Sequence, residues 1–248
     1  MSLPEQAGRD LIIANRVLAN ENVVDAYGHV SIRHPDDPNR YLLSRSRSPQ
    51  LVSADDIMEF TLDGKALNAD NRPAYLERFI HGAIYEARPE INAVIHAHAE
   101  EILPFSVSKT TKLTPVIGPG SDLGHDVPIW DIRDKFGDAT NLLVTSMSHG
   151  RDLVGTMKGN PVCLMRGHGF AAARHTVQEV VRMAVYLPRN ARVQMAAMQL
   201  GEYTPLSFNE IETKKISHGP TTPEAWRAWE YWAIRAGCSG LLGEAPSR

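Results

Sequence analysis

The chain has 248 residues, 43% hydrophobic and 22% charged, with a net charge of −3, which excludes a disordered tail, a collagen-like fibre and a disulfide scaffold. No basic excess is available to neutralise a phosphate backbone, so no nucleic-acid partner is expected. No apolar run approaches the ~18–20 residues that cross a bilayer, residues 1–10 carry Glu5, Arg9 and Asp10 where a signal peptide needs an apolar core, and the two cysteines, Cys163 and Cys238, need not pair, so no membrane and a cytoplasmic location are expected.

In chain order, Leu11, Ile12, Val17 and Leu18 predict an amphipathic helix over Leu3 to Asn20. Gly28 to Arg33 reads as a turn entering a short strand, His34 to Arg40 as a turn, and Tyr41 to Leu43 as a second strand. A polar loop, Ser44 to Pro49, follows, then a capped helical turn over Ser53 to Phe60 and a hairpin turn at Asp63-Gly64. Leu76, Phe79, Ile80, Ala83, Ile84 and Ala87 form one helical stripe ended by Pro89. Ile91 to Ala99 reads as a buried strand, and Thr114 to Ile117 and Asn141 to Thr145 as shorter ones. Ser148 to Lys158 is a helix, Val162 to Met165 a strand, Gly167-His168-Gly169 a tight turn, and Phe170 to Ala173 its continuation. Thr176 to Glu179 is a capping box opening a long helix, which Pro188 should kink or interrupt and Gly201 should end. Glu224 to Ala236 is a last helix, with Trp226, Trp229, Ala233 and Ile234 on one stripe. The alternation predicts one α/β domain over residues 1–248, with a loosely attached C-terminal arm from about residue 202.

Chemistry concentrates in the histidines. In a strand, alternate side chains share a face, so His96 and His98 project together. Two such imidazoles can grip one divalent cation, or be plain core or surface residues. His168, between two glycines, offers a third nitrogen, and three protein ligands leave coordination positions open for a substrate. Glu77 lies beside the helical stripe, one turn before His81, as a further ligand or a general acid/base. His81 and His125 read first as ordinary structural or surface histidines, with an outer position beside the metal as the alternative, whereas His34, His149, His175 and His218 read as exposed. Trp226, Trp229 and Tyr231 read as a packed stripe, facing a neighbouring subunit.

Four stretches resemble the class II aldolase/adducin family, in order and spacing, from about residue 8 to 205. They are Gly28-His29-Val30-Ser31-Ile32-Arg33, Glu77 through Tyr85, Arg88 through His98, and Arg166-Gly167-His168-Gly169. The resemblance implies a single three-layer α/β/α domain around a central, mostly antiparallel sheet. It implies metal ligands at His96, His98 and His168, with Glu77 as ligand or acid/base, and a homo-oligomer, a tetramer or a multiple, with active sites at subunit interfaces. Adducin-type members lack the metal chemistry; the full histidine set here speaks against that branch.

The departures from the sugar-phosphate aldolases of that family are as informative. Where those carry Gly-Asn, Ser-Gly and Ser-Ser, this chain has Gly28-His29, Ser44-Arg45 and Ala74-Tyr75-Leu76. The phosphate cradle is replaced by His29, Arg45, Arg47 and Tyr75. Arginine forks also suit a carboxylate, and a tyrosine ring suits a planar molecule. Ser44, Arg45, Arg47 and Tyr75 are therefore the substrate-binding candidates, and Glu77 and His29 the catalytic ones. The stretch Ile117 to Arg133 resembles the decarboxylase side of the family. The expected function is a metal-dependent carbon–carbon lyase decarboxylating a hydroxy-aromatic dicarboxylate, a pyridine of vitamin B6 breakdown, through a metal-stabilised enolate. Manganese is favoured by that resemblance, with zinc as the other metal the donor set suits. The alternatives are a sugar-phosphate aldolase or epimerase, and a non-catalytic adducin-like binding module.

Overall fold

The computed structural model describes residues 4–217 and 222–243. Met1 to Leu3, at the head of the first predicted helix, and His218 lie outside them. The strands are β1 His29–Arg33, β2 Arg40–Ser44, β3 Ile57–Thr61, β4 Ala93–Ala97, β5 Ile129–Trp130, β6 Val162–Met165 and β7 Gly169–Arg174. They form one mixed sheet in the order β3-β2-β1-β4-β7-β6-β5, in which β5–β6 is parallel and every other neighbouring pair antiparallel. The helices are α1 Glu5–Asn20, α2 Arg78–Ala87, α3 Leu103–Val107, α4 Arg133–Phe136, α5 Met147–Met157, α6 Val177–Leu200, α7 Phe208–Ser217 and α8 Pro223–Arg235.

Period-2 alternation sorts the strand side chains between two cores. Val30, Ile95, Phe170 and Ala172 pack with α1, α6 and α8, while Tyr41, Leu43, Val94 and Ala171 pack with Ile80 and Ile84 of α2 and Leu153 of α5. The result is three layers, helices on both faces of the sheet, as the sequence predicts. By the same parity His29, Ser31 and His96 lie on the α2/α5 face, and the register sets His29 directly opposite His96.

Several local readings need correction. Thr114 to Ile117 and Asn141 to Thr145 are not strands. Side chains of α6 serve the first segment in place of a neighbouring strand: Thr114 N–H donates to Gln194 Oε1 (2.9 Å), Val116 N–H to Asn190 Oδ1 (2.8 Å), and Asn190 Nδ2 donates to Thr114 O (2.7 Å). In the second, the Val144 N–H is taken by Glu77. The turn predicted over Ser53 to Phe60 is a 3₁₀ turn at Ala54–Asp56 leading straight into β3. Pro188 does not interrupt α6. Its ring costs a backbone hydrogen bond, but Met183, Ala184 and Leu187 before it and Asn190, Ala191 and Gln194 after it are all buried, so packing holds the helix through it.

The segment after Gly201 is not loosely attached throughout. Trp229, Trp232 and Ala233 of α8 are buried in the core with α1 and α6, and Arg235 Nη1 reaches Glu21 Oε1 at 2.7 Å. Of the predicted stripe, Trp226, Trp229 and Ala233 face the core, joined by Trp232, whereas Tyr231 and Ile234 are exposed.

Candidate metal centre and its cavity

β4 supplies the first ring. His96 is fully buried, and its Nδ1 donates to Phe170 O of β7 at 3.0 Å. A carbonyl can only accept, so in the neutral ring the lone pair sits on Nε2. His98, just past the end of β4, places its Nε2 2.9 Å from His96 Nε2 and 3.2 Å from His168 Nε2. Burial, then the neighbouring rings, push His98 down to about 3, which makes it a neutral donor at pH 7. His168 sits at the tip of the β6–β7 turn. Gly167 takes a φ of +65° there, and its N–H donates to Ser106 Oγ at 3.0 Å.

Gly169 sets the approach of this turn to β4. A Cβ there would lie 2.2 Å from Ala97 O and 3.1 Å from His98 Cδ2. Gly169→Ala is therefore expected to force β7 away from β4 where two of the three rings are held. We expect a loss of about 1–3 kcal/mol in urea unfolding together with a lower metal content per chain.

Glu77 is not inside the helix, as its spacing predicts, but at the residue preceding α2, with φ −91° and ψ 17°. This turns its side chain away from capping and toward the rings. Oε1 accepts the Val144 N–H at 3.0 Å, while Oε2 lies 3.3 Å from His96 Nε2 and 3.4 Å from His168 Nε2. Burial acts to raise its pKa, but His96 and His168 outweigh it and hold the carboxyl well below the usual range. The ligand atoms of Glu77, His96, His98 and His168 all lie within 4.8 Å of one another. Three imidazole nitrogens and one carboxylate oxygen converging this closely offer lone pairs to a common point, a donor set that fits a divalent transition metal.

His29 stands beside this cluster, its ring 5.2 Å from that of His96 and 4.5 Å from that of Tyr75. Burial above all, then the adjacent rings, hold it well below the ordinary histidine value. Its Nδ1 contacts His81 Nε2 at 2.6 Å, and His81 Nδ1 contacts Ser31 Oγ at 2.6 Å. A cavity of about 470 Å³ is lined by Glu77, His98 and His168 and also by His29, Arg47 and Tyr75.

The substrate-binding candidates divide. Arg47 and Tyr75 border the cavity; Ser44 and Arg45 are not among its lining. Ser44 is buried, and its Oγ donates to Tyr75 Oη at 3.4 Å. Tyr75 Oη donates to Arg47 O, which ties the loop to the ring. Arg45 Nε donates to Asp56 Oδ1 at 2.6 Å, and Arg47 Nη1 to both Asp56 oxygens, at 3.0 and 2.9 Å. Both arginines are thus held by Asp56, which the sequence marks only as a helix-turn acid.

Asp56 is 2% exposed and closes a capping box with Ser53. Burial acts to raise its pKa, but hydrogen bonds from Ser53 and Arg45 and then Arg47 outweigh this and hold it well below the usual range. The folded-state pKa lies below the unfolded one, so the clamp's stabilisation is complete above the unfolded value and is lost as pH falls through the folded one. Asp56→Asn is expected to cost about 1–3 kcal/mol at pH 7. The gap to wild type should narrow in unfolding measurements below pH ~4; a gap that widens instead would assign the clamp to another group.

Other histidines are placed differently from their reading. His34 is half-buried, 3.2 Å from Glu59, and His149 is half-buried against Phe136. His175 is exposed as expected. His125 stacks on Phe208 at 4.2 Å, outside the cavity lining. In the stretch Ile117 to Arg133, Trp130 and Ile132 enter the core and Asp131 pairs with Arg166 at 2.7 Å, beside the His168 turn. Ser31 and Tyr85, whose bond is 2.8 Å, had no local signal beyond sharing the resemblance motifs.

Residues 9–195 match the Class II Aldolase and Adducin N-terminal domain. The chain is 32% identical to Decarboxylase tropJ of Talaromyces stipitatus, over 97% of this chain and 98% of that one. It is 28% identical to a 3,4-dihydroxyphthalate decarboxylase of Arthrobacter keyseri, over 77% and 78%. Among solved structures, an aldolase II superfamily protein from Pseudomonas syringae superposes with a TM-score of 0.78 at 22% identity, covering 96% and 95%. An L-fuculose 1-phosphate aldolase from Glaciozyma antarctica superposes at 0.73 and 20%, covering 98% and 92%. The sheet, the histidine cluster and these matches agree: the chain belongs to the class II aldolase and adducin family.

Proposed function

We propose that the protein is a divalent-metal-dependent carbon–carbon lyase that decarboxylates a hydroxy-aromatic carboxylate. The observation that carries this reading is the convergence of Glu77, His96, His98 and His168 on a cavity whose other polar walls are Arg47, Tyr75 and His29. His96, His98, His168 and Glu77 would hold the cation. When bound, the metal draws electron density from substrate oxygens as the carbon–carbon bond breaks.

The chain's own groups supply the rest. Arg47 is anchored through Nη1, which leaves Nε and Nη2 for a carboxylate. The tilted Tyr75 and His29 rings bound a slot suited to a flat substrate. Glu77 is ionised, so of the two acid candidates His29 is the one that carries a proton to the cavity. Neutral at rest, its imidazole takes up a proton from water when the negatively charged substrate is bound. The imidazolium adds that proton at the carbon bearing the departing carboxylate, carbon dioxide leaves, the bonding pair returns to the substrate ring, and the imidazole is left neutral. The relatives named as decarboxylases support this reaction class. Within it, 3-hydroxy-2-methylpyridine-4,5-dicarboxylate of vitamin B6 breakdown and a dihydroxyphthalate are the ring systems to compare, with manganese ahead of zinc as the working metal.

The same reading includes a homo-oligomer, a tetramer or a multiple, and a single domain with a C-terminal arm; exposed Tyr27 and Leu76 at the cavity are surface a second copy would cover. A cytoplasmic site is supported by two buried free cysteines, and no helix among the described residues is long and apolar enough to cross a membrane. The test is elemental analysis of purified protein followed by incubation with both dicarboxylates and L-fuculose 1-phosphate. Carbon dioxide release from a dicarboxylate is expected. Aldehyde release alone would make it an aldolase, and a protein that takes up no metal would fit the binding-module alternative.

A further inference from the structure

The hydrogen-bond chain behind His29 has a direction. From the cavity inward it runs His29 Nδ1 to His81 Nε2 (2.6 Å), His81 Nδ1 to Ser31 Oγ (2.6 Å), and Ser31 Oγ to Tyr85 Oη (2.8 Å). His29 is 3% exposed, Ser31 and His81 0%, and Tyr85 1%. Water therefore does not complete these bonds, and the protons must be distributed among the four side chains themselves.

With both rings neutral, two arrangements satisfy the three contacts. In one, Tyr85 donates to Ser31, Ser31 to His81 Nδ1, and His81 Nε2–H to His29 Nδ1. The remaining proton then sits on His29 Nε2. In the other, every bond is reversed: His29 Nδ1–H donates to His81, His81 to Ser31, and Ser31 to Tyr85. The Tyr85 oxygen then faces two donors, the Ser31 hydroxyl and the Val94 backbone N–H, and its own proton is left in the core with no acceptor among the contacts of the described residues. A buried donor without a partner costs about 1–3 kcal/mol, and 1.4 kcal/mol is about tenfold in population.

We infer that Tyr85, Ser31 and His81 act as positioning residues that hold His29 in the tautomer with its proton on Nε2. Nε2 has no protein partner among the described residues, and His29 lines the cavity. The resting enzyme thus presents a neutral N–H donor to an oxygen of the bound substrate, a carboxylate or ring hydroxyl. That assignment of the recipient rests on the proposed decarboxylase reading; the tautomer itself does not. The relay also explains why His81, one turn into α2, is fully buried and engaged at both ring nitrogens.

The test is nitrogen-15 NMR of the histidine rings in the zinc-loaded protein, which is diamagnetic. The expected wild-type pattern is a protonated Nε2 and a bare, hydrogen-bonded Nδ1 on His29. Ser31→Ala should remove the bond at His81 Nδ1 and shift the ring nitrogens of both histidines toward mixed tautomers. Ser31→Thr, which keeps the hydroxyl, should restore the wild-type pattern. With a turned-over substrate, Ser31→Ala should lower kcat/KM roughly tenfold with unchanged metal content, and Ser31→Thr should recover it. A wild-type spectrum with the His29 proton on Nδ1 would overturn the inference without any variant. So would a Ser31→Ala spectrum identical to wild type. The expected spectra without turnover of any carboxylate would support the relay and count against decarboxylation alone.

Discussion

Replacing His96 by alanine is expected to abolish stoichiometric metal binding and to lower turnover by at least ~10³-fold, since each ~1.4 kcal/mol of lost barrier lowering is tenfold and a catalytic cation contributes several. His96 is the ring with the most constrained environment: fully buried in β4, its Nδ1 fixed on Phe170 O, its Nε2 within 3.3 Å of Glu77 Oε2 and 2.9 Å of His98 Nε2. Its removal takes away one donor and releases the constraint on the others, because His98 and Glu77 each touch it directly. The truncation also leaves the buried Phe170 carbonyl without its ring partner, for a separate stability loss of about 1–3 kcal/mol. Metal content by elemental analysis, turnover, and thermal unfolding of metal-free protein separate the two effects. A variant that unfolds normally, keeps one metal per chain and still turns over would refute the site.

The parts of the fold that were legible in the sequence are those written in local periodicity. Alternation put His96, in β4, and His98, just past its end, on one side; the glycines flanking His168 marked its turn; the Thr176–Glu179 capping box marked the start of α6. The structure brings these three rings and Glu77 together, though they stand up to 91 positions apart in the chain. What was not legible depends on partners far away in sequence. Thr114 and Val116 satisfy their amides on Gln194 and Asn190 of α6, 80 and 74 residues on, so an extended segment needs no neighbouring strand. Val144 gives its N–H to Glu77, 67 residues back, so a strand-like run serves the site instead of the sheet. Arg45 and Arg47 look alike in sequence; only the fold shows that Asp56 holds both and that Arg47 alone of the two borders the cavity. No periodicity encodes such side-chain bonds, because one polar atom at one distance carries each of them.

The second large effect is expected at Glu77, and it distinguishes holding a metal from moving a proton. Glu77→Gln preserves shape. Its amide oxygen can keep the Val144 N–H that Oε1 accepts at 3.0 Å, and this orients the amide nitrogen toward His96 and His168, which Oε2 now meets at 3.3 and 3.4 Å. An N–H₂ group facing those two lone pairs donates to them and competes with a cation for the same nitrogens. The metal-free variant should therefore fold with stability within about 1 kcal/mol of wild type, one hydrogen-bonded arrangement replacing another. Its metal affinity should fall by well over the ~10–100-fold typical of losing an outer partner, and turnover at limiting metal should fall ~10²–10⁴-fold. Because the carboxylate is held ionised in the folded chain, it has no proton to give, and the proposed reading makes it a ligand. Turnover should accordingly track occupancy and recover most of its value as metal is raised to saturation. A fully metal-loaded Glu77→Gln protein that remains inactive would instead make this carboxylate a proton acceptor in the reaction, and would move His29 from the sole proton carrier to one of a pair.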